Sequence, residues 1–228
     1  MLKPASSLCN LRCKYCFYAD ITSLRDVSSF GIMEDRTMRA VIDHIFMDLD
    51  DGDHLTLSFQ GGEPMLVGLS FYRKLENYIA EKGRKIHVNY TIQTNGILLD
   101  DDWCSFFCKY DFLVGISFDI LPESHDAARI DTAGHGTYEK VLHAVSLLKK
   151  YQIEHNILCT LTRQTAGHPS RVWTQIRRLD LDHVQFTPCL GDLNSPGTSV
   201  YAFTPDRFFH FYSDLFDLWY RDRTAGNA

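Results

Sequence analysis

The 228 residues are 45% hydrophobic and carry a formal net charge of −6, which allows a sizeable core and one large domain or two small ones. The acidic balance and the lack of any Lys/Arg block exclude a nucleic-acid surface. No apolar run reaches the roughly 18 residues of a membrane span, and Met1-Leu2-Lys3-Pro4 does not read as a signal peptide.

In chain order the pattern alternates. A cysteine-bearing loop precedes a polar stretch around Ser23 to Ser29, and Met33 to Leu49 then places Met38, Val41, Ile42, Ile45 and Phe46 at helical spacing. Leu55 to Phe59 alternates like a strand and stops at Gly61-Gly62; Phe71 to Ala80 reads as helix, Ile86 to Gln93 as strand and Trp103 to Lys109 as a short amphipathic helix. Phe112 to Phe118, Asn156 to Leu161 and His183 to Thr187 are further strands, separated by helices over Tyr138 to Tyr151 and Arg171 to Leu179. Such alternation predicts parallel pairing with right-handed crossovers. If the residues before Cys9 supply a first strand, six strands result: an α/β fold forming a partial TIM-like barrel, with its chemistry at the carboxyl ends of the strands.

The loop Cys9-Asn-Leu-Arg-Cys13-Lys-Tyr-Cys16 puts three thiols within eight residues. An odd, tight cluster suits a metal centre better than a disulfide framework, since zinc and iron-sulfur clusters select thiolates. Zinc would want a fourth ligand, and none appears at zinc-finger spacing; three buried core cysteines, or zinc completed by a distant residue, are the alternatives. An iron-sulfur cubane on three cysteines would leave one iron open to a small molecule. Cys104, Cys108, Cys159 and Cys189 are scattered through apolar segments, which fits a reducing cytoplasm. Cys104 and Cys108, at i and i+4, share a helix face, as buried core thiols or as a second metal pair.

Gln60-Gly61-Gly62-Glu63-Pro64 follows a strand directly. Two glycines permit close backbone approach to a ligand, and Glu63 with the glycine carbonyls offers acceptors for an ammonium group; by itself such a turn can be merely structural. Phe112-Leu-Val-Gly-Ile-Ser-Phe-Asp119 ends a strand with a serine and an acid, and Arg129 follows His125-Asp126. A guanidinium binds a carboxylate bidentately, although Arg129 could instead form a surface ion pair with Asp126 or Asp131, and Asp119 could cap a helix.

Cys9, Cys13, Cys16 and the aromatic Phe17 resemble the cluster loop of the radical S-adenosylmethionine (SAM) superfamily, and Gly61-Gly62-Glu63 resembles its GGE motif. Lys3 to Cys9, Cys16-Phe-Tyr-Ala-Asp20, Gly31-Ile-Met33, Phe59 to Pro64, Gln93-Thr-Asn-Gly96, Phe112 to Gly115, Asn156 to Cys159 and Leu215 to Tyr220 together resemble the anaerobic sulfatase-maturating enzymes, almost end to end. The resemblance implies a (β/α)6 barrel open on one side and a 4Fe-4S cluster on Cys9, Cys13 and Cys16. It further implies reductive cleavage of SAM to a 5'-deoxyadenosyl radical, and oxidation of a cysteine or serine of a sulfatase to Cα-formylglycine. Tyr15, Gly62, Glu63, Ser117, Arg129 and Leu190 correspond to SAM contacts; Tyr18, Gln60 and Gln93 lie where the substrate peptide meets SAM.

The resemblance also implies a peptide or protein partner and a low-potential electron donor such as ferredoxin or flavodoxin. Residues 1–228 are expected to form a single core domain, without the cysteine-rich SPASM region and the aspartate general base that family members carry beyond the segment matching Tyr220. No catalytic residue is therefore assigned within the chain. The usual Asp-Gly after the fourth strand is Asp119-Ile120 here. The alternatives are a modifier of another ribosomal peptide, forming thioethers or epimers, and a cluster-binding scaffold without full turnover.

Overall fold

The computed structural model describes residues 1–191 and 199–226. Five strands, β1 (His54–Phe59), β2 (His87–Thr94), β3 (Phe112–Ser117), β4 (His155–Leu161) and β5 (Val184–Pro188), form one sheet in sequence order with every pair parallel. Helices fill the connections: α1 (Phe17–Ser23) and α2 (Asp35–Met47) precede β1, and α3 (Leu69–Glu81), α4 (Asp101–Lys109), α5 (Pro122–Ala128), α6 (Tyr138–Lys150), α7 (Arg163–Ala166) and α8 (Pro169–Arg178) lie between strands. A last helix, α9 (Pro205–Thr224), packs on α8.

The sixth strand expected before Cys9 is reduced to one bridge. Leu2 pairs in parallel with Phe59, its N–H donating to Ser58 O at 2.8 Å while Gln60 N–H donates to Leu2 O at 3.0 Å. Pro4 has no N–H to continue a ladder, and Ser6, at φ 52°, turns the chain away toward the cysteine loop.

Alternation along the strands gives the sheet two faces of different chemistry. Leu57, Phe59, Tyr90, Ile92, Phe112, Val114, Ile116, Ile157, Cys159, Leu161 and Phe186 are buried on the side that meets the helices. An aromatic cluster fixes α3 and α4 there, with Tyr90 and Phe112 stacked at 4.9 Å between centroids and Tyr72 edge-on to Trp103 at 5.3 Å. Asp100 caps α4 by accepting from Trp103 N–H at 2.9 Å, as an Asp at that position should. The opposite, concave face carries Ser58, Thr91, Gln93, Ser117, Asn156 and Thr160, all half-buried and polar. Half a barrel with a polar lumen results.

Cys104 and Cys108 lie on α4 as expected, but only Cys104 is buried; Cys108 is exposed with its thiol on Tyr151 O at 3.3 Å. On α9 only Phe211 is buried, and Phe209, Phe216 and Tyr220 form an exposed aromatic strip. Among the described residues no helix is long and apolar enough to cross a membrane.

Candidate functional site

The cysteine loop lies across the carboxyl ends of β1, β2 and β3, and backbone bonds hold it there. Leu11 bridges Asp131, Arg12 N–H donates to Ile130 O at 2.8 Å, and Lys14 N–H donates to Ala128 O at 2.9 Å. From the other side the glycine turn grips the approach to Cys9: Gly62 N–H donates to Ser6 O at 2.9 Å and Glu63 N–H to Leu8 O at 2.7 Å. A Cβ on Gly62 would lie 2.1 Å from Leu8 O and one on Gly61 2.7 Å from Ser6 O. The close approach these glycines allow is therefore to the chain leading into the cysteine loop.

Glu63 points inward. Its carboxylate is buried and accepts from Met65 N–H (3.0 Å), Thr94 Oγ1 (2.8 Å) and Asn95 N–H (2.8 Å). Burial, against those three donors, pushes its pKa up to about 7. Its side chain orders the turn; the Glu63 carbonyl accepts from Leu66 N–H at 3.2 Å, which leaves the Gly61 and Gly62 carbonyls as acceptors.

The second centre is Asp119, wholly buried just past β3. It receives Arg129 Nε (3.1 Å) and Nη2 (3.2 Å), the backbone N–H of Thr160 (2.9 Å) and the Tyr15 hydroxyl. Arg129 is 7% exposed and also reaches Thr160 Oγ1 at 3.2 Å. Its guanidinium lies 5.4 Å from the Tyr15 ring centroid. The arginine therefore pairs with neither Asp126 nor Asp131, and Asp119 does not cap a helix, because α5 begins after Leu121. Although burial works against the Arg129 charge, Asp119, Tyr15 and Cys13 raise its pKa on balance.

Behind the pair, His125 Nδ1 accepts from Asp119 N–H at 3.2 Å, which leaves Nε2 to donate to Thr137 Oγ1 at 3.0 Å. Burial, with Arg129 adding to it, holds His125 down at about 4, so the ring is neutral at pH 7. Neither His125 nor Thr160 is singled out by the sequence. Their only signal is a histidine in the short helix α5 after β3 and a threonine near the end of β4.

The remaining expected residues fall along the lumen and its mouth. Gln93 Nε2 donates to Ser117 Oγ at 3.1 Å across two strands, in space left by Gly115, where a Cβ would meet Gln93 Oε1 at 2.2 Å. Gln60 is half-buried at the end of β1. Tyr18, with the Lys3 ammonium 4.9 Å above its ring, lines a groove of about 540 Å³ shared with Arg25, Phe30 and Met33. Leu190, beyond β5, is 78% exposed. Cys9, Cys13, Cys16, Tyr15, Gly62, Glu63, Ser117 and Arg129 are thus gathered around one end of the half-barrel, and Tyr18 adjoins them, its hydroxyl pKa raised by burial and by Cys16.

All seven cysteines are free thiols, and the three of the loop are half-buried. Burial raises Cys9 and Cys13, the latter to about 11; Cys16 adds to both, while Arg129 pulls Cys13 down. Leu11 N–H and Asn95 Nδ2 point at Cys9 Sγ, at 3.4 and 3.7 Å. A positively charged centre would convert such thiols to thiolates, and the N–H donors are the outer contacts thiolate ligands use. Among the described residues no three His, Cys, Asp or Glu side chains converge to hold a single ion. Three thiols on one loop fit a cluster, which takes one thiolate per iron.

An open parallel half-barrel with a thiolate loop at its carboxyl-terminal rim defines a class, the α/β barrel enzymes built around a loop-held metal centre. The chain belongs to the radical SAM superfamily, whose family model matches residues 4–169. It is 40% identical to the cysteine-type anaerobic sulfatase-maturating enzyme of Clostridium novyi (strain NT), over 99% of this chain and 60% of that protein. It is 28% identical to the serine-type enzyme of Bacteroides thetaiotaomicron, over 97% of this chain and 57% of that one. A solved structure described as native anSMEcpe with bound AdoMet and Kp18Cys peptide superposes with a TM-score of 0.89 at 39% identity, covering 99% of this chain and 60% of that one. The chain therefore spans about 60% of the length of the cysteine-type relative it matches.

Proposed function

We propose that residues 1–228 form the core domain of an anaerobic sulfatase-maturating enzyme, one that oxidises a cysteine of a sulfatase to Cα-formylglycine. The observation that carries this reading is the end-to-end likeness, 40% identity over 99% of the chain, to a protein named as cysteine-type. The serine-type relative, at 28%, is more distant, and the peptide in the solved relative's description is a Cys peptide.

In this reading Cys9, Cys13 and Cys16 hold a 4Fe-4S cluster. When bound, the cluster and SAM supply a 5'-deoxyadenosyl radical through one electron from a low-potential donor such as ferredoxin or flavodoxin. The chain's own residues orient and enclose. The Gly61 and Gly62 carbonyls would accept from the SAM ammonium group, while the buried Glu63 carboxylate keeps that turn in place. Arg129, locked by Nε and Nη2 on Asp119, would have its remaining nitrogen, Nη1, for the SAM carboxylate. Ser117 and Tyr15 would flank SAM, and Leu190, exposed beyond β5, would be a further SAM contact by the resemblance alone. Gln60, Gln93 and Tyr18 meet the peptide, whose polar backbone suits a lumen lined by Ser58, Thr91, Gln93 and Asn156. Free thiols throughout the chain suit a cytoplasmic setting.

The test is anaerobic. The chain is reconstituted with iron and sulfide, given SAM and dithionite, and 5'-deoxyadenosine is quantified beside a Cys13→Ala control. Product that requires Cys13, with faster formylglycine formation on a sulfatase-derived Cys peptide than on its Ser counterpart, supports the proposal. A chain loaded with about four irons that yields no 5'-deoxyadenosine refutes it.

A further inference from the structure

Asn95 follows β2 and stands between the glycine turn and the cysteine loop, 7% exposed. Its backbone N–H donates to Glu63 Oε2 at 2.8 Å, and its side-chain Oδ1 accepts from Ile97 N–H at 3.0 Å. The second bond decides the orientation of the carboxamide, because only the oxygen can accept from an N–H. Nδ2 is thereby turned to the loop, 2.8 Å from Asn10 Oδ1 and 3.7 Å from Cys9 Sγ. With Leu11 N–H at 3.4 Å, Cys9 has two N–H groups aimed at its sulfur.

We propose that Asn95 is a positioning residue for the redox step: its Nδ2–H donates to the Cys9 thiolate and holds the cluster's reduction potential less negative than it would otherwise be. Reduction adds one negative charge, which spreads onto the cluster's sulfurs. A donor on a ligand sulfur stabilises the reduced state more than the oxidised one, which raises the potential. The effect of Asn95 runs through Cys9, since it touches the ligand. The inference rests on the assignment of Cys9 as a cluster ligand.

The experiment is an EPR-monitored redox titration of reconstituted wild type, Asn95→Ala and Asn10→Ala, with iron content measured on each. Removing the Asn95 donor makes reduction at least tenfold less favourable, a shift of about 59 mV to more negative potential for one electron. Asn10→Ala keeps the Nδ2 donor and frees it from Asn10 Oδ1, so its potential does not follow Asn95→Ala to more negative values. A fully loaded Asn95→Ala protein with an unchanged potential overturns the role of Asn95 alone. A wild-type chain that takes up no cluster and makes no 5'-deoxyadenosine overturns the cluster assignment as well. Pulsed EPR on the reduced, unsubstituted protein with 15N-labelled asparagine needs no variant: a side-chain 15N coupling is expected, and its absence also overturns the proposal.

Discussion

Replacing Asp119 by alanine tests whether the buried pair with Arg129 orders the rim of the half-barrel. The substitution leaves a guanidinium that is 7% exposed without its counter-charge, and strips an acceptor from Thr160 N–H and from the Tyr15 hydroxyl. Breaking a buried ion pair from one side costs about 3–5 kcal/mol. For a domain of this size each kcal/mol moves Tm by about 2–4 °C, so the fall is roughly 6–20 °C. Thermal and urea unfolding of the cluster-free chain, followed anaerobically by circular dichroism, measure it. The double variant Asp119→Ala with Arg129→Met separates charge from hydrogen bonding, because the apolar pair leaves no uncompensated charge and recovers the charge part of the loss, while Thr160 N–H and the Tyr15 hydroxyl still lack their acceptor. A single variant that loses less than about 1 kcal/mol, or a double variant no more stable than the single one, would refute this account.

Three further outcomes follow from the geometry. Gly62→Ala drives a Cβ to 2.1 Å from a backbone oxygen of the segment leading into the cysteine loop, and the iron retained per chain after anaerobic reconstitution and desalting should fall well below wild type. Ile120 is fully buried yet sits at φ 46°, a left-handed conformation costing an L-residue about 1–2 kcal/mol. At this site Ile120→Gly should be more stable than Ile120→Ala by about 1 kcal/mol in urea titrations, the reverse of the usual order. Burial holds Glu76, which accepts from the Tyr90 hydroxyl at 3.0 Å, up at about 7 against Tyr90 and Lys109. The folded state then keeps this proton more tightly than the unfolded one, so its stabilisation is complete below the free value of 4.5 and is lost as pH rises through 7. Glu76→Gln should therefore gain in Tm relative to wild type between pH 5 and pH 8, and parallel curves would exclude the effect.

What one sequence could and could not carry is clear from individual residues. The five strands and the helices over Met38 to Phe46, Trp103 to Lys109 and Tyr138 to Lys150 announce themselves because one face of each is buried and the period is visible. Helix α9 hides because aromatic residues surround most of it and only Phe211 is buried, so no stripe stands out. The cysteine loop and the glycine turn are local and legible. The meeting of Tyr15 with Asp119 spans 104 positions, and no periodicity in a single chain encodes it. Glycine spacing suggested approach to a ligand, whereas the nearest obstacle to a Cβ is the chain's own backbone. Asn95 stood in plain view in Gln93-Thr-Asn-Gly96, but its value lies in a neighbour 86 residues away.

The many bonds that pin the cysteine loop change what loading the protein with iron entails. In small zinc modules the ligands come together only as the metal arrives, so affinity and folding are one quantity. Here Leu11, Arg12, Lys14 and Tyr15 are already tied to Asp131, Ile130, Ala128 and Asp119, and Asn10 to Asn95. These ties run through backbone and side-chain groups other than the three thiols, so the loop's anchorage and its metal ligation are separate sets of bonds. Circular dichroism of the protein before and after iron is chelated should therefore show the fold retained.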